Sequence, residues 1–177
     1  VVIEDSYKRL LKLMSAHMNK FPYIFGHRPR ASDFALYGQL SQLAMFDPTP
    51  SAVTEALAIR IVAWVDILDD LSGLEPSESD WIDAGALPGS LKEFFSEIGR
   101  VYVPALLANA EAIDKGETQV DTEIDGRPWV QKPFPYQAKC LRWIRQEFTQ
   151  LDEMQRKRLL EFLDGTGCEL LLDREQK

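Results

Sequence analysis

The sequence predicts a mainly α-helical bundle with a C-terminal extension containing one β-hairpin. Apolar residues recur at steps of three and four along most of the chain, which is the helix period. One segment, near 119–131, changes to strict alternation around Asp125-Gly126. Prolines and glycines gather between the periodic segments and mark their ends.

The first helix is expected from Asp5 to Phe21. Its stripe is Tyr7, Leu10, Leu11, Met14, Met18 and Phe21, with Asp5 or Ser6 as the cap. Pro22 ends it, because the residue before a proline is pushed out of the helical region. After a loop at 23–29, a second helix runs from Asp33 to Phe46. Phe34, Leu36, Tyr37, Leu40, Leu43 and Phe46 lie around most of its circumference, which predicts a central, buried helix. Gly38 in its interior implies a close helix crossing, since glycine there costs about 1 kcal/mol against alanine. Asp47-Pro48-Thr49-Pro50 breaks the chain.

A third helix is expected from Ser51 to Leu71, burying Val53, Leu57, Ile61, Trp64, Leu68 and Leu71. Ser72-Gly73 stops it. Residues 74–89 read as a surface connection with Trp81 docked back. Ser90-Leu91-Lys92-Glu93 has the form of a capping box. It opens a helix that carries Leu91, Phe94, Phe95, Ile98 and Val101, is kinked at Pro104, and ends near Gly116.

Val120, Thr122 and Ile124 then alternate with polar residues up to Asp125-Gly126, a strong signal for a two-residue hairpin turn. That turn opposes Ile124 to Arg127, Glu123 to Pro128 and Thr122 to Trp129. Pro128 then falls at a non-hydrogen-bonded position and removes no ladder bond. Helices follow from Tyr136 to Thr149 and from Asp152 to Asp164, and Cys168–Leu172 forms a short apolar tail. The core helices occupy 1–73 and the extension 74–177, packed as one domain.

Composition sets the class. Of 177 residues, 45% are hydrophobic and 27% charged, an ordinary globular mixture. A chain of this length buries roughly 70% of its unfolded surface and needs no staples. The formal net charge of -8 repels phosphate backbones and anionic lipid, which excludes nucleic acid and membrane as partners. The basic run Arg156-Lys157-Arg158 reads as a solvated helix face. The two cysteines, Cys140 and Cys168, are expected to be reduced, in a cytoplasmic protein. No apolar run approaches a membrane span and no signal peptide is recognised. The chain opens Val1-Val2-Ile3 without an initiator methionine.

Catalytic chemistry is sparse. The two histidines, His17 and His27, have no cysteine or histidine at zinc-site spacing. There is no phosphate-binding glycine loop and no nucleophile elbow. Asp69-Asp70 is a carboxylate pair, but neighbours on a helix point about 100° apart and do not share a proton. Cys140 stands beside Lys139 and Arg142, which would lower a thiol pKa; a buried structural cysteine is the competing reading. The candidate substrate-binding residues are Trp129, Gln131, Tyr136 and Lys139. They join the hairpin to the next helix, with aromatic faces beside a cation that suit flat or anionic ligands. The competing reading makes the hairpin a cover over apolar surface. No catalytic residue and no metal ligand is assigned.

Phe21-Pro22-Tyr23-Ile24-Phe25-Gly26, Arg28-Pro29 and Ser32-Asp33-Phe34-Ala35-Leu36-Tyr37-Gly38 together resemble a known junction. It is the one before the central helix in the C-terminal domain of cytosolic glutathione S-transferases. Ala63-Trp64-Val65 is similar to that family's tryptophan helix, and Asp47-Pro48-Thr49-Pro50 to a linker in a bacterial subgroup. The resemblance covers about residues 5–73. Two positions depart from it: Arg30 replaces the Ser/Thr cap, with Ser32 as a substitute that would shift the helix start, and Ile59 replaces a proline.

The resemblance implies a glutathione S-transferase C-terminal-like helical bundle, half of a protein whose N-terminal thioredoxin-like domain carries the thiol-activating residue. No βαβ pattern for that domain is present in these residues. For the intact protein it implies glutathione as cofactor, a small hydrophobic or aromatic electrophile as substrate, and a homodimer. This chain alone is expected to be inactive. The alternatives are a non-catalytic protein-binding or scaffold module on the same fold, and a glutathione-dependent reductase or isomerase.

Overall fold

The computed structural model describes residues 1–172. It is mainly helical, with one small two-stranded antiparallel sheet. Contacts divide the chain into two units, the first essentially Ile3–Leu91 and the second from Lys92 onward. The position expected to separate core from extension, residue 73, lies in the loop after the fourth helix, inside the first unit.

In the first unit, α1 spans Val2–His17. Leu11, Met14 and His17 are its fully buried side chains, three residues apart as the stripe requires. It begins at Val2, so Asp5 and Ser6 lie inside the helix rather than capping it. It ends four residues before Phe21. The Phe21 amide bonds the His17 carbonyl (3.1 Å) in a last tight turn, as the restriction imposed by Pro22 demands.

The second helix, α2 (Ala31–Leu40), passes into a π-helical segment, Ser41–Phe46. Its all-round apolarity does not become all-round burial. Only Asp33 and Leu40 are buried in α2, while Phe34 is 48% and Phe46 81% exposed. A Cβ built on Gly38 meets nothing within 4 Å, so the expected close crossing at that glycine is absent. The wide π turn shifts the phase of the residues after Leu40, and an apolar wheel drawn at 3.6 residues per turn misplaces them.

The expected third helix is two: α3 (Pro48–Ala58) and α4 (Arg60–Asp69). Asp47 caps α3 by accepting from the Thr49 amide, with Pro48 in the first turn, where a missing donor does no harm. The chain breaks at Ile59, where a resemblance-based alignment expects proline. The break changes the buried face, so α3 buries Thr54 and Ala58 rather than Val53 and Leu57, while α4 buries Ile61, Trp64, Val65 and Leu68. After α4, a single 3-10 turn (Glu78–Asp80) delivers Trp81 to the loop at Gly26. The Gly26 backbone, at φ +129°, fits only glycine, because a Cβ there would sit 2.1 Å from the Asp80 carbonyl oxygen.

The second unit is built on α5 (Gly89–Asp114), whose first turn lies before the division. The helix runs on through Pro104. Ser90 lies inside it, and its hydroxyl meets His17. Strands β1 (Val120–Ile124) and β2 (Arg127–Gln131) pair in the expected register, with Ile124 opposite Arg127, Glu123 opposite Pro128 and Thr122 opposite Trp129. Asp125 and Gly126 both take positive φ, 54° and 73°, as a mirror-image hairpin turn requires.

Helix α6 (Pro135–Gln150) is tied to α5 by Asn109. The fully buried amide of Asn109 donates to the Phe134 carbonyl (3.0 Å) and accepts from the Phe134 amide (2.7 Å). Asp152 and Gln155 form a reciprocal capping box that opens α7 (Glu153–Leu163). A 3-10 turn, Cys168–Leu171, closes the described chain. The core of this unit is Val103, Leu106, Leu141, Leu163, Cys168, Leu171 and Leu172. Gly99 lets the tail reach α5, because a Cβ there would lie 1.9 Å from the Thr166 carbonyl oxygen. Among the described residues no helix is long and apolar enough to cross a membrane.

Candidate functional site

The turn between α1 and α2 is organised by Asp33. This residue is fully buried, and burying a carboxylate is unfavourable unless its oxygens are hydrogen-bonded. Here they are. Oδ1 accepts from the Ile24 amide (2.8 Å) and Oδ2 from the Arg30 amide (2.9 Å). The carboxylate thus holds both ends of the loop and occupies the positive end of the α2 dipole. Arg30 is the N-cap residue but contributes only its backbone. Ser32 is not the cap; it sits one residue into the helix, with its hydroxyl 3.4 Å from Asp33 Oδ2. Trp64 ties α4 to the same loop, its indole donating to the Pro22 carbonyl (2.9 Å).

His17 completes this region. Its Nε2 lies 3.2 Å from the Tyr23 carbonyl oxygen, and Nδ1 lies 2.9 Å from Ser90 Oγ. A carbonyl only accepts, so Nε2 carries the proton and the Ser90 hydroxyl donates to Nδ1. Burial pushes the His17 pKa down, against smaller opposing effects of the Tyr23 and Ile24 carbonyls and the Asp33 charge. Arg28 and Arg30 each place a guanidinium 4.4 Å from the Trp81 ring centre, which seats that indole on the loop.

The carboxylate pair has separate employment. Asp69 accepts from the Tyr37 hydroxyl, and Asp70 accepts from the Ser72 amide (2.9 Å) in the turn after α4.

The sequence-derived substrate residues fall into two groups. Trp129 and Gln131 lie on β2 and bond each other, indole Nε1 donating to Gln131 Oε1 (2.9 Å). Tyr136 and Lys139 lie on α6 with Trp143. The Lys139 ammonium is 4.6 Å from the Trp143 ring centre, and Tyr136 meets that ring edge-on at 6.1 Å. Tyr136 and Lys139 are both exposed, whereas Trp129 and Gln131 are half-buried.

A feature that sequence reading missed shares Trp143 with this cluster. Helices α5, α6 and α7 and the 3-10 tail line a solvent-open groove of about 690 Å³. Its walls carry four aromatic rings, Phe95, Tyr102, Trp143 and Phe148, and both cysteines, Cys140 and Cys168. Cys168 is buried and its thiol lies 3.1 Å from the Phe95 carbonyl oxygen; burial pushes its pKa up. Cys140 is half-buried. Among the described residues, Glu147 is the one charged residue in the wall. The signal was present in the sequence only as one stripe of α5, Phe95, Ile98 and Tyr102, and one of α6, Cys140, Ile144 and Phe148, which read as ordinary core. No protein family, curated protein or solved structure was found to match the chain.

Proposed function

We propose that this chain is the helical half of a glutathione S-transferase-like protein, supplying part of an electrophile pocket and of the assembly surface. The observation that carries the reading is the Asp33 bridge between Ile24 and Arg30. It gives Ile24, Arg30 and Asp33 within the resembling junction a physical role. The Tyr23-Ile24 turn presents an amide, the aspartate receives it, and the helix starts from the same carboxylate. It also explains how the junction tolerates arginine at the cap, since the bond needs only the Arg30 backbone.

On this reading the thiol-activating residue, the glutathione site and the cis-proline belong to a thioredoxin-like domain that acts together with this chain. The substrate is a small hydrophobic or aromatic electrophile, and the intact protein is a cytoplasmic homodimer. Exposed apolar side chains of the first unit, among them Phe34, Phe46 and Ile67, fit a surface made to be covered. The same side chains favour a second reading, a non-catalytic protein-binding module. The residues encoded ahead of Val1 decide between them. A βαβ domain with a cysteine, serine or tyrosine at the thiol-activating position supports the transferase reading; a thioredoxin-like domain without such a residue leaves the scaffold, and no such domain at all refutes both forms of the half-protein proposal.

A further inference from the structure

The groove of the second unit is not explained by the proposed function, which rests on the first unit. Its volume, about 690 Å³, falls within the range of small-molecule sites, roughly 300–1,000 Å³. The groove opens to solvent and leaves the apolar side chains Ile98, Tyr102 and Trp143 of its wall exposed, and a contiguous apolar surface of this kind marks a ligand groove. Its chemistry is narrow. Among the described residues, the wall residues with neutral polar groups are Tyr102, Trp143, Cys140 and Cys168, and the one carboxylate is that of Glu147. Lys139 and Arg156 rest on the Trp143 and Phe148 rings, at 4.6 and 5.4 Å from their centres, yet neither lines the groove.

We infer that this groove is a binding site for an uncharged, ring-bearing apolar molecule. Four aromatic rings offer stacking and edge contacts to such a guest. A single carboxylate in a chain of net charge -8 opposes an anionic one. The five residues that follow Leu172 in the sequence are Asp173, Arg174, Glu175, Gln176 and Lys177. Their side chains are all polar or charged, the wrong chemistry for an apolar space. Cys140, half-buried in the wall, reports occupancy, because a bound guest shields its thiol from alkylation.

The test uses two fluorescent probes of similar ring structure, uncharged phenylnaphthylamine and its anionic relative anilinonaphthalene sulfonate. The uncharged probe is expected to bind saturably, one per chain, and more tightly than the sulfonate. Ile98→Gln and Trp143→Ala alter wall residues that are partly exposed, and each is expected to weaken binding about tenfold. Val130→Gln, on the exposed face of β2, leaves it unchanged. On the unaltered protein, saturating phenylnaphthylamine is expected to slow iodoacetamide alkylation of Cys140 by about fivefold or more, whether or not the variants fold. Unsaturable binding, equal or tighter binding of the sulfonate, full binding by folded wall variants, or unchanged Cys140 alkylation each overturns the inference. Gain of saturable binding only after removal of residues 173–177 would show that the tail fills the groove, and overturns it as well.

Discussion

Replacing Asp33 probes the junction on which the functional reading depends. The Asp33→Ala variant strands two backbone donors. The Ile24 amide belongs to a buried residue and loses its only side-chain acceptor at 2.8 Å; an unsatisfied buried donor costs about 1–3 kcal/mol. The Arg30 amide belongs to an exposed residue and can turn to water, so its loss resembles that of a helix cap, about 0.5–2 kcal/mol. Together these give a destabilisation of about 1.5–5 kcal/mol. Asp33→Asn keeps the shape and one acceptor. Its carbonyl oxygen is expected to stay on the buried Ile24 amide and its NH₂ to face Arg30, so it costs only the smaller part, about 1–2 kcal/mol. The chain has two units and need not unfold in one step. Amide hydrogen exchange at 21–46 is therefore compared with exchange in α6 and α7. Faster exchange confined to the first set, with alanine worse than asparagine, is the expected result. An alanine variant within about 0.5 kcal/mol of the parent, or an asparagine variant worse than alanine, refutes the assigned role.

Trp64→Ala is expected to cost about 3–5 kcal/mol in urea unfolding, as large buried truncations do, whereas Trp64→Phe removes chiefly the bond to Pro22 and costs about 1 kcal/mol. Gly99→Ala drives a methyl into the Thr166 backbone and is expected to lower stability by at least about 2 kcal/mol, with faster amide exchange in Cys168–Leu171; an unchanged melting temperature contradicts the close approach. The lowered pKa of His17 means that the unfolded chain binds its proton more readily than the folded one. Its contribution is complete above the unfolded value of about 6.5 and is lost as pH falls through the lower folded value. Stability measured from pH 7.5 to 5 is expected to fall more steeply for the parent than for His17→Gln; identical slopes refute the buried neutral imidazole.

The sequence was most legible where one local rule acts alone. The hairpin register follows from Asp125-Gly126 and the alternation before it, and the structure shows that same pairing. Helix existence was legible from apolar periodicity, but phase was not. The break at Ile59 moves burial from Val53 and Leu57 to Thr54 and Ala58, and no propensity signals a break at an isoleucine. The π segment likewise leaves Phe46 in solvent although the wheel places it among core residues. Ser90-Leu91-Lys92-Glu93 reads as a cap locally, yet Ser90 is drawn to His17, 73 residues earlier, a partner that only tertiary structure supplies. The groove was illegible for the same reason, since its walls come from four separate elements. Asp33 was legible as the start of the second helix and as part of the resembling junction, while its bonds to Ile24 and Arg30 required coordinates.

The most direct test of the functional reading is isothermal titration of glutathione into two proteins, residues 1–177 alone and the longer polypeptide that the proposal requires, followed by turnover of chlorodinitrobenzene. The account predicts glutathione binding and conjugation by the longer protein and neither by residues 1–177. Micromolar glutathione binding to residues 1–177 alone, or a longer protein that neither binds glutathione nor carries a thioredoxin-like domain, would contradict it.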